Sequence, residues 1–359
     1  MTSTRAPKQS ASEILVVGPF PPPVHGFAQA TMDVAEILQA QGFRVTRIDL
    51  KPSKNALSFL GIRFSQFVKL SCAVWRGSRV YVGFSGGIRQ AIDLVFLAIG
   101  RLGGSALYIH HHSFAYLNHP TPLAGMCMRL SGKAATHIVL CGGMKTVLQK
   151  QYKSARNVEV MSNAGLQSVN LEFRNRTAIQ TIGYLGALTA EKGILEFLST
   201  AAKLAQNHHD LRFRIAGPCD DVTIKEKLAA SNNAYSCIEY VGPVYANNKL
   251  EFIESLDVLL FPSSYSNEAE PLVILEAMSS GIPVIGWERG CIGEMLTWGN
   301  SEPHAIQQGE PFAAQAVAKI ETWLSEPQLF CQSSADVRAH FDRLSTESKH
   351  AFERIFPRD

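Results

Sequence analysis

The feature that most constrains the fold is the alternation of short apolar runs with amphipathic stretches along nearly the whole chain. This alternation is typical of parallel sheets that are covered by helices on both faces. The apolar runs form two series of five predicted strands: 14–18, 44–50, 79–84, 106–110 and 136–140, then 181–186, 211–217, 238–242, 257–263 and 283–287. Because 359 residues exceed one ordinary hydrophobic core, we predict an α/β protein of two Rossmann-like domains.

A polar segment from Gln167 to Ala178 separates the two series and marks the predicted domain boundary. We therefore expect an N-terminal domain at 1–167 and a C-terminal domain at 168–340. The last part of the sequence has a helical pattern and no strand after it. We expect this final helix, about 341–359, to return to the N-terminal domain.

The two halves of the chain carry opposite charge. Residues 1–165 contain 18 Lys and Arg against 6 Asp and Glu, whereas residues 166–359 contain 16 against 25. A difference of this size indicates separate partners, with something anionic expected at the first half. No apolar run reaches the ~18 residues of a membrane-spanning helix, and the polar start lacks an apolar signal region, so we expect a cytoplasmic protein.

The strongest local signal lies in residues 262–285, PSSYSNEAEPLVILEAMSSGIPVI. Pro262 ends a buried strand, a polar loop follows, and Pro271 stands where a helix begins, since the first helical position needs no N–H. A helix N-terminus at the carboxyl end of a parallel strand binds anions, because free amides and the helix dipole point into the crevice. We therefore expect the amides near Leu272 and Val273 to bind a phosphate.

Two carboxylates frame this expected anion site, Glu268 in the loop and Glu276 in the helix. A carboxylate beside a phosphate is electrostatically unfavourable unless it accepts hydrogen bonds from neutral hydroxyls, such as those of a ribose. A nucleotide-sugar offers hydroxyl groups on both sides of its diphosphate. On the residues alone, the alternative that both carboxylates are solvated surface groups stays open.

The segment resembles the E-x7-E motif of the family-4 retaining glycosyltransferases, which have the GT-B fold. The similarity extends downstream through E-A-M and G-x-P-V-I, and upstream to a G-x-L-x-x-E-K-G pattern within 183–198. RIAGP (214–218), VGPV (241–244) and GCIGEML (290–296) resemble the family's following segments, in the same order. The resemblance covers nearly all of 181–296 and implies a GT-B enzyme, in which two Rossmann-like domains face a central cleft.

This resemblance implies a role for each motif residue. Glu276 would bind the ribose hydroxyls, Glu268 would act at the transferring sugar, and Lys192 would stabilise the diphosphate leaving group. Ala187 stands where many relatives carry an Arg, so leaving-group stabilisation would depend more on Lys192 and the helix amides. Further donor contacts are expected at strand ends and at the helix start, namely from Gly186, Gly217, Pro271, Leu272 and Val273.

The N-terminal half carries weaker signals. Residues 18–38 are similar to the family's first glycine loop, which implies a donor contact at Gly26. Three consecutive histidines, 110–112, end the fourth predicted strand, and a three-histidine metal site is not expected because adjacent strand residues point to opposite faces. The resemblance implies a functional histidine here, with His110 as a catalytic group and His111 as a donor contact. A purely structural role for these histidines is the alternative.

The sequence contains neither a D-x-D pair to hold a divalent metal on a diphosphate nor a C-x-x-C pair. With the resemblance, this predicts a metal-independent hexosyltransferase without a cofactor, which uses a nucleotide-sugar donor in cell-surface polysaccharide or glycolipid assembly. A nucleotide-sugar epimerase and a non-catalytic nucleotide-sugar-binding subunit remain alternatives. A dehydrogenase would need a G-x-G-x-x-G triplet, which is missing, and no recognised nucleic-acid motif accompanies the basic half.

A basic stretch adds a prediction about the acceptor. Between Leu50 and Ile92 there is no Asp or Glu, whereas seven Lys and Arg occur. Apolar residues within it fall near one side of a helical wheel, as in helices of a lipid headgroup layer, although packing on the protein's own sheet explains the stripe equally well. These residues are Leu57, Leu60, Phe64, Phe67, Val68 and Trp75. We expect peripheral binding of residues 50–92 to an anionic membrane, and a carbohydrate or lipid-linked sugar acceptor there.

Overall fold

The computed structural model describes residues 13–23, 25–50, 65–72, 74, 78–167, 171–298, 304–307 and 309–358. These residues fall into two compact units, the first within Met1–Met161 and Lys349–Asp359 and the second within Ser162–Ser348. Four residues of the stripe predicted for membrane binding lie outside the described residues: Leu57, Leu60, Phe64 and Trp75.

The first unit is built on a parallel six-stranded sheet in the order β2-β1-β3-β4-β5-β6. Its strands are β1 (Glu13–Gly18), β2 (Arg44–Asp49), β3 (Arg79–Phe84), β4 (Leu107–His111), β5 (Thr136–Val139) and β6 (Asn157–Val160). β1, β3 and β4 bury almost every residue. Continuous apolar runs are therefore the sequence pattern of these central strands, because both of their faces are covered.

Helices alternate with the strands of this unit. They are α1 (Gly26–Ala40), α2 (65–72), α3 (Gln90–Leu102), α4 (Ala115–Asn118), α5 (Pro122–Ser131) and α6 (Gly142–Gln151). The start of α5 follows local sequence rules, since the Thr121 side chain accepts a hydrogen bond from the Ala124 N–H and Pro122 occupies the first helical position. A short 3-10 turn, Gly87–Arg89, leads from β3 into α3.

The second unit contains another parallel six-stranded sheet, in the order β12-β11-β10-β7-β8-β9. Its strands are β7 (Thr181–Leu185), β8 (Arg212–Ala216), β9 (Ile238–Gly242), β10 (Val258–Phe261), β11 (Val284–Trp287) and β12 (Ala305–Ile306). Read from β9 to β12, this order is the doubly wound dinucleotide-binding arrangement, with its reversal of direction between β7 and β10.

Helices cover both faces of the second sheet. They are α7 (Ile194–Asn207), α8 (Val222–Ala234), α9 (Ala246–Glu254), α10 (Leu272–Ser279), α11 (Ile292–Met295), α12 (Phe312–Ser325) and α13 (Pro327–Ile355), whose residues from Lys349 onward belong to the first unit. The consecutive residues Leu259 and Leu260 belong to different apolar clusters, one with Phe341 and the other with Phe312. Because successive strand residues point to opposite faces, one cluster lies on each side of the sheet.

The predicted class of two parallel, Rossmann-like sheets is confirmed, and the strand count is corrected from five to six in each. The added strand β6 has only one buried apolar residue, and the added strand β12 is two residues long. Neither therefore forms an apolar run in the sequence. The last helix is longer than predicted, and just after it Phe356 packs on Tyr108 of the first sheet, with ring centroids 4.7 Å apart. No helix within the described ranges has the length and apolar content to cross a membrane.

Candidate functional site

The loops that carry the predicted donor motif follow β7 and β10, the two strands at which the second sheet reverses direction. Open α/β sheets bind ligands outside the carboxyl ends of the strands at such a point. The loop after β7 covers 186–193 and contains Lys192, and the loop after β10 covers 262–271 and contains Glu268. The topology therefore brings together two charged residues that are 76 positions apart in the sequence.

Two glycines allow these loops to approach each other closely. Gly193 has φ +82°, and a Cβ on it would lie 2.1 Å from the Pro262 carbonyl oxygen. Gly217, at the end of β8, has φ +140°, and a Cβ there would lie 1.8 Å from the Gly186 carbonyl oxygen. Any side chain at either position would meet backbone and adopt an unfavourable left-handed conformation. The glycines of the motif thus place the β7 loop directly against its neighbours.

Lys192 and Glu268 form an ion pair at the edge of this unit. The Lys192 Nζ lies 2.5 Å from the Glu268 Oε2, which also accepts a hydrogen bond from the Ser263 hydroxyl at 3.0 Å. The ammonium group also lies 4.6 Å from the centre of the Tyr265 ring, within the range of a cation–π interaction. Both side chains are partly exposed, at 29% and 13%. The pair therefore offers a fixed cation and a fixed carboxylate to a ligand at the strand ends.

The predicted anion site at the start of α10 has the expected helix geometry. Pro271 is the N-cap residue and supplies no capping side chain, and Leu272 is the first helical residue. The first N–H groups of an α-helix have no intrahelical acceptor, so those of Leu272 and Val273 are of the kind that can donate to an anion. Ile274 N–H already donates to the Pro271 carbonyl at 3.1 Å.

Glu276 lies in the second turn of α10 and is almost fully buried. Its Oε1 accepts a hydrogen bond from the Lys249 Nζ of α9 at 2.6 Å, whereas its buried Oε2 has no hydrogen-bond partner. Burial raises the pKa of Glu276, and the Lys249 ammonium opposes that rise. A buried carboxylate oxygen without a donor favours a ligand hydroxyl at this position, because an unsatisfied buried polar atom is costly.

A third carboxylate, Glu270, was not singled out from the sequence. It is 7% exposed, and it accepts hydrogen bonds from the Ser162 hydroxyl at 2.7 Å and from the Asn163 N–H at 2.6 Å. Burial raises the pKa of Glu270 to about 7, the two hydrogen bonds oppose the rise, and Glu294 adds to it. Glu270 therefore ties the 162–163 turn to the segment between Glu268 and α10.

The predicted histidines lie in the first unit and are fully buried in β4. His110 Nδ1 lies 2.7 Å from the Tyr81 hydroxyl, and His111 Nδ1 lies 2.8 Å from the Tyr116 hydroxyl. The second ring nitrogen of His111 lies 3.1 Å from the Nδ1 of His137. The two neighbours thus point to opposite faces of the sheet, as the strand period requires.

Burial keeps this histidine group neutral. It lowers the pKa values of His110 and His111 well below the ordinary value, and nearby histidines add to the effect. The pKa of His112, which stacks on Phe27 with centroids 4.7 Å apart, falls to about 3, and that of His137 falls to about 4. Of residues 110–112, only His112 is partly exposed. It is thus the member of the triplet that reaches the surface of this unit.

Gly26, the other predicted residue of the first unit, is exposed and begins α1. The preceding His25 stands where the resemblance favours a second glycine, and its Nδ1 caps the helix by accepting from the Ala28 N–H at 3.2 Å. Burial, followed by the charge of Arg89, lowers the pKa of His25, which favours the unprotonated nitrogen that capping requires. Across the residues that the structure describes, no three His, Cys, Asp or Glu side chains are grouped to hold a metal ion.

Comparison with known proteins agrees with this geometry. Residues 172–338 match the family described as glycosyl transferases group 1. The matched range contains both strands at the reversal of the second sheet, together with Lys192, Glu268 and Glu276. Residues 172–338 of the second unit therefore resemble a glycosyltransferase domain, and the chain has the GT-B fold.

Individual proteins resemble the chain over most of its length. The α-D-kanosaminyltransferase of Streptomyces kanamyceticus is 24% identical over 279 residues, which are 70% of this chain and 69% of that protein. HepE of Anabaena, solved in complex with UDP-glucose, superimposes with a TM-score of 0.67 at 14% identity, covering 96% of this chain and 99% of the other. WaaG, a glycosyltransferase involved in lipopolysaccharide biosynthesis, gives 0.60 at 16% identity, covering 96% and 100%.

Two charged residues of the candidate site were missed in the sequence. Lys249 lies in a polar helix start, and only the packing of α9 beside α10 brings it to Glu276. Glu270 had a weak signal, because an acid directly before the helix-starting Pro271 competes with the anion expected there. Its partners are more than 100 residues away in the sequence, so the local pattern did not reveal them.

Proposed function

We propose that this protein is a retaining glycosyltransferase, which transfers a hexose from a nucleotide-diphosphate sugar to an acceptor hydroxyl. The observation that carries the proposal is the pair of Lys–Glu contacts beside the α10 N-terminus, Lys192 with Glu268 and Lys249 with Glu276. They combine cations, carboxylates and backbone amides at the strand ends where α/β sheets bind nucleotides. UDP-glucose in the HepE complex supports the same class of donor.

In the proposed binding mode, the diphosphate lies at the first turn of α10 and against Lys192. The amides of Leu272 and Val273 would donate to phosphate oxygens, and the helix dipole favours their negative charge. The ribose would donate a hydroxyl to the buried Glu276 Oε2, whose partner oxygen is held by Lys249. Gly186 and Gly217 have no side chains, so the backbone of these two loops would leave room for the donor to approach.

Glu268 would act on the transferring sugar. Its Oε2 is positioned by Lys192 and Ser263, so the carboxylate has a defined direction before a donor binds. As the bond between the sugar and the diphosphate breaks, negative charge grows on the phosphate oxygen. Lys192 and the helix amides would stabilise that charge.

Retention would follow from attack on the same face that the leaving group departs from. The acceptor oxygen forms its bond to the anomeric carbon while the bond to the phosphate oxygen breaks, and the acceptor proton passes to that phosphate oxygen. No protein base is then needed. This agrees with the histidines at 110 and 111, whose lowered pKa values make them weak proton acceptors, and which would contribute through position and hydrogen bonding.

The proposal includes independence of metal ions and of any further cofactor. Lys192 and the α10 amides would neutralise the diphosphate in place of a divalent cation. Transfer should therefore continue at the same rate in EDTA. Loss of activity in EDTA, restored by Mg²⁺ or Mn²⁺, would show that this part of the proposal is wrong.

The acceptor would be a carbohydrate or a lipid-linked sugar in cell-surface polysaccharide or glycolipid assembly, met at the cytoplasmic face of an anionic membrane. The basic, acid-free stretch 50–92 supports a peripheral position there. A nucleotide-sugar epimerase would use the same donor site, and a non-catalytic binding subunit would keep the site without turnover.

The decisive experiment is a turnover assay over UDP-, GDP-, ADP- and dTDP-hexoses with a membrane extract as the acceptor source. Release of the nucleoside diphosphate together with a new glycoside supports transfer, and proton NMR of that glycoside reports the anomeric configuration. An inverted product would contradict retention. An isomerised nucleotide-sugar without transfer would identify an epimerase, and binding without any turnover would identify a binding subunit.

A further inference from the structure

The first unit has an exposed apolar surface that its proposed reaction does not use. Within the part of this unit that the structure describes, all exposed large apolar side chains fall between positions 68 and 126. They are Val68 of α2, Ile88 before α3, Val95 and Leu102 of α3, and Met126 of α5. Single exposed apolar residues are common, but the restriction of these five to one stretch of the chain indicates an interaction surface.

Three of these residues form a regular stripe along α3 and the 3-10 turn that leads into it. Ile88 of the turn and Val95 and Leu102 of α3 follow one another at intervals of seven positions, so they lie near one face, and Ile88 and Leu102 are 87% and 88% exposed. The opposite face is buried through Phe96 and Leu97. α3 is therefore apolar on both sides, whereas a helix that only covers its own sheet has a polar outer face.

The charge around this stripe has one sign. Between positions 50 and 158 the sequence has 14 Lys and Arg but one acid, Asp93. Asp93 is fully buried in α3, where its carboxylate accepts a hydrogen bond from the Ser85 N–H at 2.8 Å, so it presents no charge to solvent. Arg89 and Arg101, next to the ends of the stripe, are exposed.

We infer that the outer face of α3, with Val68 of α2 and Met126 of α5, is a docking surface for an anionic lipid bilayer. The exposed apolar residues would enter the boundary between headgroups and acyl chains, and the arginines would meet lipid phosphates. A bilayer is proposed as the occupant because the positive charge around the stripe is complementary to anionic lipid headgroups. The inference gives the proposed membrane acceptor a specific surface, and membrane binding itself requires no donor.

Vesicle co-sedimentation tests this surface on the full chain. The probes are phosphatidylcholine vesicles with and without phosphatidylserine, at low and high salt. The wild type should bind only the anionic vesicles and should be released by salt. The double variant Val95→Glu with Leu102→Glu should bind at least about tenfold more weakly, because two added charges oppose insertion.

Val222→Glu is the matched control, since Val222 is 67% exposed but lies in α8 of the second unit. It should bind vesicles as the wild type does. Thermal unfolding and nucleoside diphosphate binding should be unchanged in all variants, so a failed membrane assay is distinguishable from a failed donor site. Equal binding to neutral and anionic vesicles, or wild-type binding by the double variant, would overturn the inference. Self-association that the double variant abolishes would assign the face to contact between copies instead.

Discussion

The two units share a parallel Rossmann-like sheet but place their polar groups differently. At the strand ends of the second unit, Lys192 and Lys249 are paired with carboxylates. In the first unit, β4 carries the buried His110 and His111, which are paired with tyrosine hydroxyls. The comparison teaches that one architecture supports a charged site or a neutral hydrogen-bonded one, depending on which side chains follow the strands.

Burial explains the difference in protonation. In the described residues, the histidine group is hydrogen-bonded to tyrosine hydroxyls and within itself, so loss of solvation lowers its pKa values and keeps it neutral. Glu276 is equally hidden from solvent, but a lysine lies 2.6 Å away and opposes the rise in its pKa. The charge of the first unit is instead on its exterior, in arginines and lysines. We therefore expect donor chemistry in the second unit and surface attraction in the first.

The largest expected effect is on Glu268. Glu268→Gln should reduce the turnover number by about 10²–10³ while the fold is kept, because in the proposed mechanism it removes a charge directed at the reacting sugar. Glu239→Gln is a suitable control, since Glu239 forms an exposed pair with Arg214 on the same sheet. Steady-state kinetics and circular dichroism would check this. Equal kcat values for wild type and Glu268→Gln would remove Glu268 from the proposed mechanism.

Glu270 should make stability depend on pH. Its pKa rises from 4.5 to about 7 on folding, so the native state holds the proton more tightly and the free energy of unfolding falls as pH rises from about 4.5 to about 7. The full shift corresponds to about 3 kcal/mol. Glu270→Gln keeps an acceptor for Asn163 N–H and a donor for Ser162, so it should flatten this dependence. Urea unfolding at pH 5 and pH 8 would measure it, and parallel pH curves for both proteins would contradict the assignment.

A smaller effect, on donor binding, is expected when Lys249 is replaced. Lys249→Met removes the cation that favours the ionised form of Glu276, so the donor KM should rise by about tenfold with little change in kcat. The loss should be greater at lower pH, where Glu276 without its partner is protonated first. Kinetics at pH 6 and pH 8 would test this. A fall in kcat at unchanged KM would place Lys249 in the chemical step instead.

The smallest expected effect concerns the histidines. His110, His111, His112 and His137 should show no titration between pH 5 and 8, because burial holds their pKa values below that range. Proton–nitrogen NMR of the imidazole groups would follow each ring. Any of the four with a pKa above 6 would mean that the first unit holds a titratable site after all, and the contrast between the units would fail.

Those parts of the fold and of the candidate site that depend on local sequence patterns were predictable. Strands such as β10 are continuous apolar runs, and the proline and glycines around α10 indicate where that helix begins and ends. The positions of Lys192 and Glu268 were predictable from their motif, whereas their 2.5 Å contact depends on the strand order. Lys249 and Glu270 were not, because their roles exist only when distant segments pack. The edge strands β6 and β12 were missed because little of either is buried and apolar.

We propose that the second unit binds a nucleotide-sugar through Glu276. Isothermal titration calorimetry in EDTA, with UDP, GDP, ADP and dTDP as separate probes, tests it most directly. We predict that the wild type binds at least one of these, and that Glu276→Ala weakens that binding by about tenfold or more through loss of a charge-assisted hydrogen bond, while Glu239→Gln leaves it unchanged. Equal affinity for wild type and Glu276→Ala, or no binding of any of the four by the wild type, would contradict the account.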